Sequence, residues 1–314
     1  MLLGTYEFYC TLTSPAILPA YKGSTFRGAF GASLKRAVCA IKNQECNNCL
    51  LSVRCIYAQT FEHSRNDGAM SQQKATPPVP YLIEPPLDTQ TRYSSGSPFN
   101  FSLLLFGAAN DSLPYFVYAF ELMGEFGIGA RVDGKRGCYL LNEVRSNGKV
   151  IYDSVSRKLN AISPLQLVAP TNDIVLSEST IKLKMLTPLR LKHQNELSGE
   201  LPFNLLVRAM LRRVSSLFEH FGSGEPALDY KKLVADAQNV QMVASALRWH
   251  DWERYSGRQE KTMLMGGLIG TITYKGLLTP YLPLLELCQK LHIGKQSSFG
   301  LGSFDFEIST GDAA

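Results

Sequence analysis

The chain has 314 residues and a formal net charge of +5, with 45% hydrophobic and 19% charged residues. That balance excludes a disordered chain, and the length suffices for two domains, each with its own core. The longest apolar runs, such as Phe101 to Phe106, fall far short of a membrane span, and the start Met1-Leu2-Leu3-Gly4 lacks the charged opening of a signal peptide, so a cytoplasmic protein is expected.

Alternation predicts a strand over Tyr6 to Leu12, ended by Ser14-Pro15. Phe26, Phe30, Leu34 and Val38 recur every four residues and predict a helix from Ser24 to Val38. Pro80 to Ile83 and Asn100 to Phe106 read as strands separated by a polar loop rich in Pro, Ser and Gly. Asp111 is placed to cap a helix reaching about Met123. A glycine loop, Gly127 to Gly137, comes next, then a strand from Cys138 to Leu141. This βαββαβ order is that of the ferredoxin-like, or RRM-like, unit.

The second half repeats the plan. Thr180 to Leu186 alternates and is closed by Thr187-Pro188; Leu201 to Phe221 is an amphipathic helix. Val240 to Trp252 and Leu264 to Tyr274 are strand candidates, and Leu278 to Leu291 is helical, with Pro280 in its first turn. A second glycine-rich loop follows, with Gly294, Lys295, Ser298, Gly300 and Gly302, then a last strand from Ser303 to Ile308. Ile128, Gly129, Gly137 and Tyr139 align with Ile293, Gly294, Gly302 and Phe304 at an offset of 165, and Phe26, Leu34 and Arg36 align with Phe203, Leu211 and Arg213 at 177. The expected fold class is therefore α+β: tandem ferredoxin-like domains over residues 1–155 and 170–314. The change of offset puts about a dozen extra residues between the two helices of the first domain.

That interval holds Cys39, Cys46, Cys49 and Cys55, four of the seven cysteines. C-x2-C is the usual half-site of a tetrahedral metal, and four thiolates in residues 39–55 can close on one ion. A structural zinc is the expected cofactor. An iron–sulfur cluster uses the same ligands, and free thiols or two disulfides are the metal-free alternatives. Cys10, Cys138 and Cys288 fall in apolar patterns and read as core.

The glycines of the terminal loop leave the backbone bare, so its N–H groups, its serines and Lys295 suit a phosphate. Arg131, Lys135 and Arg136 lie in the upstream loop. Lys22, Arg27, Lys35 and Arg36 cluster early, and Arg208, Arg212 and Arg213 share a later helix; the ordinary place of such charges is a solvated face.

Three stretches together resemble the CRISPR repeat-processing endoribonucleases of the RAMP superfamily: Leu18 to Gly31 running on to Tyr57, Phe61 and Glu62; Thr187-Pro188-Leu189-Arg190-Leu191-Lys192; and Trp252-Glu253-Arg254-Tyr255-Ser256 with the terminal glycine loop. The resemblance implies repeat RNA of a precursor CRISPR transcript as substrate. It also implies metal-independent cleavage, in which the ribose 2′-OH attacks the adjacent phosphate and leaves a 2′,3′-cyclic phosphate and a 5′-OH. A non-catalytic RAMP subunit, holding guide RNA among other CRISPR effector subunits, is the alternative. Neither half carries an RNP1 pattern, so base stacking on sheet aromatics is not expected.

Such cleavage needs a base, an acid and cations near the phosphate. The family commonly has a histidine in or just after the first helix, and here Ser24 to Val38 has none. The candidate base is His63, just past the cysteine insertion, with Lys22 and Arg27 as the cations. His193 follows Arg190 and Lys192 in a basic loop and is a candidate RNA contact; His292 opens the glycine loop.

Overall fold

A computed structural model describes every residue except 43, 63–76, 171–177, 194–195, 198, 257–260 and 311–314. The chain divides into two units, Met1–Leu167 and Val168–Ala314.

In the first unit, β1 (Leu2–Leu12) buries every second side chain, as its alternation requires. The helix α1 (Gly23–Val38) buries Phe26, Phe30 and Leu34. After a short α2 (Ile56–Phe61) come β2 (Tyr81–Glu84) and β3 (Pro98–Phe106), then α3 (Leu113–Phe126). Asp111 does not cap α3. It lies in a 3-10 turn, Gly107–Ser112, held by Asn110 Nδ2, which donates to the carbonyls of Leu105 and Gly107. Pro114 stands in the first turn of α3, where its missing N–H costs nothing. The upstream glycine loop is a β-hairpin, β4 (Ile128–Val132) and β5 (Lys135–Gly137). The unit closes with β6 (Tyr139–Ser146) and β7 (Lys149–Asp153), a strand the sequence reading missed.

The sheet runs β2-β3-β1-β6-β7, all pairs antiparallel, with Leu165–Gln166 added beside the start of β1. Both long helices pack on one face over a core of aromatic rings. Phe8 stacks on Phe101 at 4.8 Å between centroids and Phe30 on Phe120 at 4.6 Å. Each such ring, removed from water, contributes about 1.5–3 kcal/mol.

The second unit repeats this order with β8 (Glu178–Leu189), α4 (Phe203–Phe221), a short α5 (Tyr230–Asp236), β9 (Gln241–Ser245), β10 (Arg248–Ser256), β11 (Lys261–Leu277), α6 (Leu282–Leu291) and β12 (Phe304–Thr310). Its sheet is β9-β11-β8-β12, again antiparallel, with β10 beside β11. Counting the four strands of each plan in chain order, both sheets run two-three-one-four. The duplicated positions match in burial: Phe26 and Phe203, Leu34 and Leu211, and Ile128 and Ile293 are all core residues. Arg36 and Arg213 also match in role. Arg36 lies 4.0 Å over the ring of Phe126, and Arg213 grips the carbonyl of Leu291, each at the last residue of the unit's second long helix.

Candidate nucleic-acid interface

A strongly basic concavity lies in the second unit. It is a cavity of about 620 Å³ lined by six cations: Arg190, Lys192, Arg208, Arg212, Arg213 and Lys295. None of the described lining residues is acidic. Leu191, Leu205 and Ala209 form an apolar floor, and among the described lining residues there is no aromatic ring for a base to stack on. Six positive charges in one concavity raise the local potential far above what a net charge of +5 spread over the molecule would produce. The arrangement suits a polyanion read through its phosphates.

Two features of local sequence build it. Pro188 interrupts β8, and the ladder to β11 shifts register between Met185 and Leu189. The chain then turns out with Arg190 and Lys192, the latter in a two-residue ladder, Lys192–His193 with Glu196–Leu197. On α4, Arg208 and Arg212 are one turn apart, so they share a face, and both are exposed. Arg213 is half-buried. Its Nε and one terminal nitrogen donate to the Leu291 carbonyl at 3.1 and 2.9 Å. Burial pushes its guanidinium down to about 10, with the neighbouring Cys288 thiol acting the other way, and it stays charged at neutral pH.

The glycine loop contributes Gly294 and exposed Lys295 to this wall. Its glycines serve close packing within the protein. A Cβ on Gly294 would stand 2.7 Å from the Arg190 carbonyl, and one on Gly302 1.7 Å from that of Ile293, both at positive φ. Several loop amides are committed within the protein. Lys295 N–H donates to Arg190 O at 2.8 Å, Ile293 N–H to Gly302 O at 3.0 Å and Gly302 N–H to Pro188 O at 3.1 Å. The buried Thr187 hydroxyl donates to Gly300 O and accepts from Ser303 N–H. These bonds spend several of the loop's N–H groups within the protein; Gly300 and Gly302 are buried and shape the loop, Ser298 is half-buried, and the cations that line the cavity are side chains. The side chain of His193 is outside the described residues.

In the first unit, Arg131, Lys135 and Arg136 are exposed on the β4–β5 hairpin, beside a cavity of about 720 Å³. Glu125 and Asp133 share that lining, so the charge there is mixed.

The candidate catalytic cations are not free in this unit. Lys22 is wholly buried: its ammonium lies 3.2 Å from Asp88 Oδ1, donates to the Asp88 carbonyl, and sits 5.6 Å from the Tyr93 ring centroid. Tyr93 donates to the same carboxylate. Burial alone would raise the Asp88 carboxyl, but the hydrogen bonds from Tyr93 and Lys22 outweigh it and hold the group below the usual carboxylate range. Arg27 lies 4.8 Å over the Phe61 ring and near enough to Tyr81 for its charge to be felt there. Lys22 thus braces the start of α1, and Arg27 is half-buried on the same helix. His63 lies outside the described residues.

The four cysteines are free thiols, each partly exposed. Cys39 caps the end of α1, Cys55 precedes α2, and Cys46 opens a 3-10 turn that Cys49 follows, closed by Cys49 N–H to Cys46 O at 3.3 Å. Burial pushes the Cys46 thiol up, and Cys55 and Cys39 are near enough to act in the same direction. The donors suit a thiolate metal, but among the described residues no three His, Cys, Asp or Glu side chains stand close enough to hold one. Among those residues, no helix is long and apolar enough to cross a membrane.

Residues 1–164 match a family model described as an N-terminal domain, AF_1859_N, and residues 183–304 match that of the CRISPR-associated endoribonuclease Cas6. An uncharacterized protein of Archaeoglobus fulgidus is 26% identical over 293 residues, 91% of this chain and 92% of the relative. Among solved structures, the partial Cas6-RT-Cas1–Cas2 complex aligns over 100% of this chain with a TM-score of 0.56 and 14% identity; this chain spans 47% of the chain it matches there. The Cas6 product complex from Thermus thermophilus aligns over 98% of this chain and 99% of its own, with a TM-score of 0.53 and 13% identity. At these identities the structural likeness is one of fold.

Proposed function

We propose that this chain, whose residues 183–304 match the Cas6 model, is a CRISPR repeat-processing protein of that family, which binds the repeat RNA of a precursor CRISPR transcript and cuts it. The observation that carries the reading is the second unit's cavity: six cations, with no acid or stacking ring among its described lining residues, lying within the residues that match the Cas6 model. Phosphates are recognised there and bases are not, so sequence preference must come from elsewhere on the RNA. The element order and strand order of both units support ferredoxin-like domains in tandem.

The reaction is attack of the 2′-OH on the adjacent phosphorus. An O–P bond forms, the bond to the 5′ oxygen breaks, and the products are a 2′,3′-cyclic phosphate and a 5′-OH. A base takes the 2′-OH proton, an acid returns one to the leaving oxygen, and no metal is consumed. His63 is the candidate base. Lys22 and Arg27 act through the segment entering α1, which their buried contacts hold. The four cysteines would hold a structural zinc that orders the loop between α1 and α2; ligand type and C-x2-C spacing support this, and binding would have to draw the sulfurs together. Other CRISPR subunits are proposed partners, as in the complex that joins Cas6 to RT, Cas1 and Cas2. The site of action is the cytoplasm.

The second reading, a binding subunit that does not cut, is favoured by two observations: α1 carries no histidine, and Lys22 is spent on Asp88. Incubation with cognate repeat RNA in EDTA separates the two. A discrete cut ending in a cyclic phosphate supports the nuclease. Tight binding without a cut supports the subunit, and no binding overturns both.

A further inference from the structure

His292 holds a backbone conformation that glycine should occupy. It follows the last residue of α6 with φ 54° and ψ 152°, in a region that essentially only glycine populates. The equivalent residue of the first unit, after α3, is Gly127, with φ 77° and ψ 158°. The same turn is thus made twice, once by the residue that suits it and once by a histidine. The strained histidine is also buried, at 1% exposure. Its Nδ1 lies 3.2 Å from the Leu301 carbonyl. A carbonyl only accepts, so Nδ1 carries the hydrogen.

The two loops explain the difference. In the first unit the loop is a hairpin, with ladder pairs at both ends: Ile128 with Gly137 and Val132 with Lys135. In the second unit the stretch between Ile293 and Gly302 has no ladder. It holds a 3-10 turn, Ser297–Phe299, flanked by Gln296 and Gly300 in left-handed conformation. The His292 ring reaches across its neck to Leu301, beside the Ile293 to Gly302 hydrogen bond, while Arg213 holds the Leu291 carbonyl one residue earlier.

We propose that His292 is a positioning residue: its ring clamps the neck of the second glycine loop and so holds Gly294 and Lys295 against the basic cavity in the form that receives phosphates. The proposal rests on reading that cavity as the RNA interface.

Two full-length variants test it. His292→Gly keeps the backbone conformation and removes the clamp. His292→Asn places an amide nitrogen on Cγ, where Nδ1 stood, and keeps a non-glycine residue at the same strained backbone position. Hydrogen exchange at the Ile293, Lys295 and Gly302 amides should quicken about tenfold in His292→Gly, the equivalent of one hydrogen bond, and return toward wild type in His292→Asn. Affinity for a labelled repeat RNA should weaken and recover in parallel, with exchange in the β-sheets unchanged. Wild-type exchange and affinity in His292→Gly would overturn the proposal. So would His292→Asn behaving no better than His292→Gly. Should His292→Gly unfold, His292→Asn alone decides, since loss of loop protection in a folded Asn variant also overturns it. A wild-type protein that binds no RNA defeats the RNA reading, while the exchange data still judge the clamp.

Discussion

Replacing Arg208 and Arg212 together by glutamine should change the salt dependence of RNA binding by a calculable amount. Both are exposed on α4, so the change costs little stability. Each phosphate neutralised on a single strand contributes about −0.7 to the slope of log K against log salt. If each of the six lining cations meets one phosphate, the wild-type slope is about −4, and affinity falls roughly 300-fold between about 50 and 200 mM salt. Removing two contacts leaves a slope of about −2.8 and a fall of roughly 50-fold over the same range. Fluorescence anisotropy of a labelled repeat RNA, titrated at four or more salt concentrations, measures both slopes. Lines of equal slope for wild type and variant would refute the reasoning, because they would mean that these two arginines reach no phosphate.

Asp88→Asn removes the partner of the buried Lys22. Breaking a fully buried pair costs about 3–5 kcal/mol, but the Asp88 side chain is 47% exposed and water relieves part of it, so about 1–2 kcal/mol is expected in urea unfolding at pH 7. Because the folded Asp88 carboxyl lies below its usual range, the stabilisation is complete above the ordinary carboxylate value and is lost as pH falls through the folded one. The wild type should therefore lose this increment in acid and the variant should not; equal midpoints at both pH values would contradict the pairing. His63→Ala should bind repeat RNA normally and lose cleavage by about a hundredfold or more, and full activity would remove His63 from the mechanism. Elemental analysis should find about one zinc per chain, lost in Cys46→Ser/Cys49→Ser; a metal-free protein with four titratable thiols in that loop would exclude the site.

Much of the fold was legible because its signals are local. The four-residue spacing of Phe26, Phe30 and Leu34 marks α1, and the same spacing on Phe203, Val207 and Leu211 marks α4, with all of these side chains buried. The two hairpins were missed although their turns are written in the chain. Asp133-Gly134 and Asn147-Gly148 are the dipeptides that a two-residue hairpin demands, and all four residues have positive φ. Reading the first as part of a glycine loop hid β4 and β5, and passing over the second hid β7.

By itself, the sequence determined the duplication, the order of elements and the residue types available for chemistry, because periodicity and turn chemistry act over a few residues. Only the tertiary structure decided which charges act together. Arg190 leaves β8, Arg208, Arg212 and Arg213 lie on α4, and Lys295 follows α6; they meet because the sheet brings the ends of those elements to one place. The same folding withdrew Lys22, which looked like a free cation beside a helix until Asp88, 66 residues on, closed over it. A charge on the page has no direction. Whether it meets a phosphate or a carboxylate is set by contacts that no local pattern encodes.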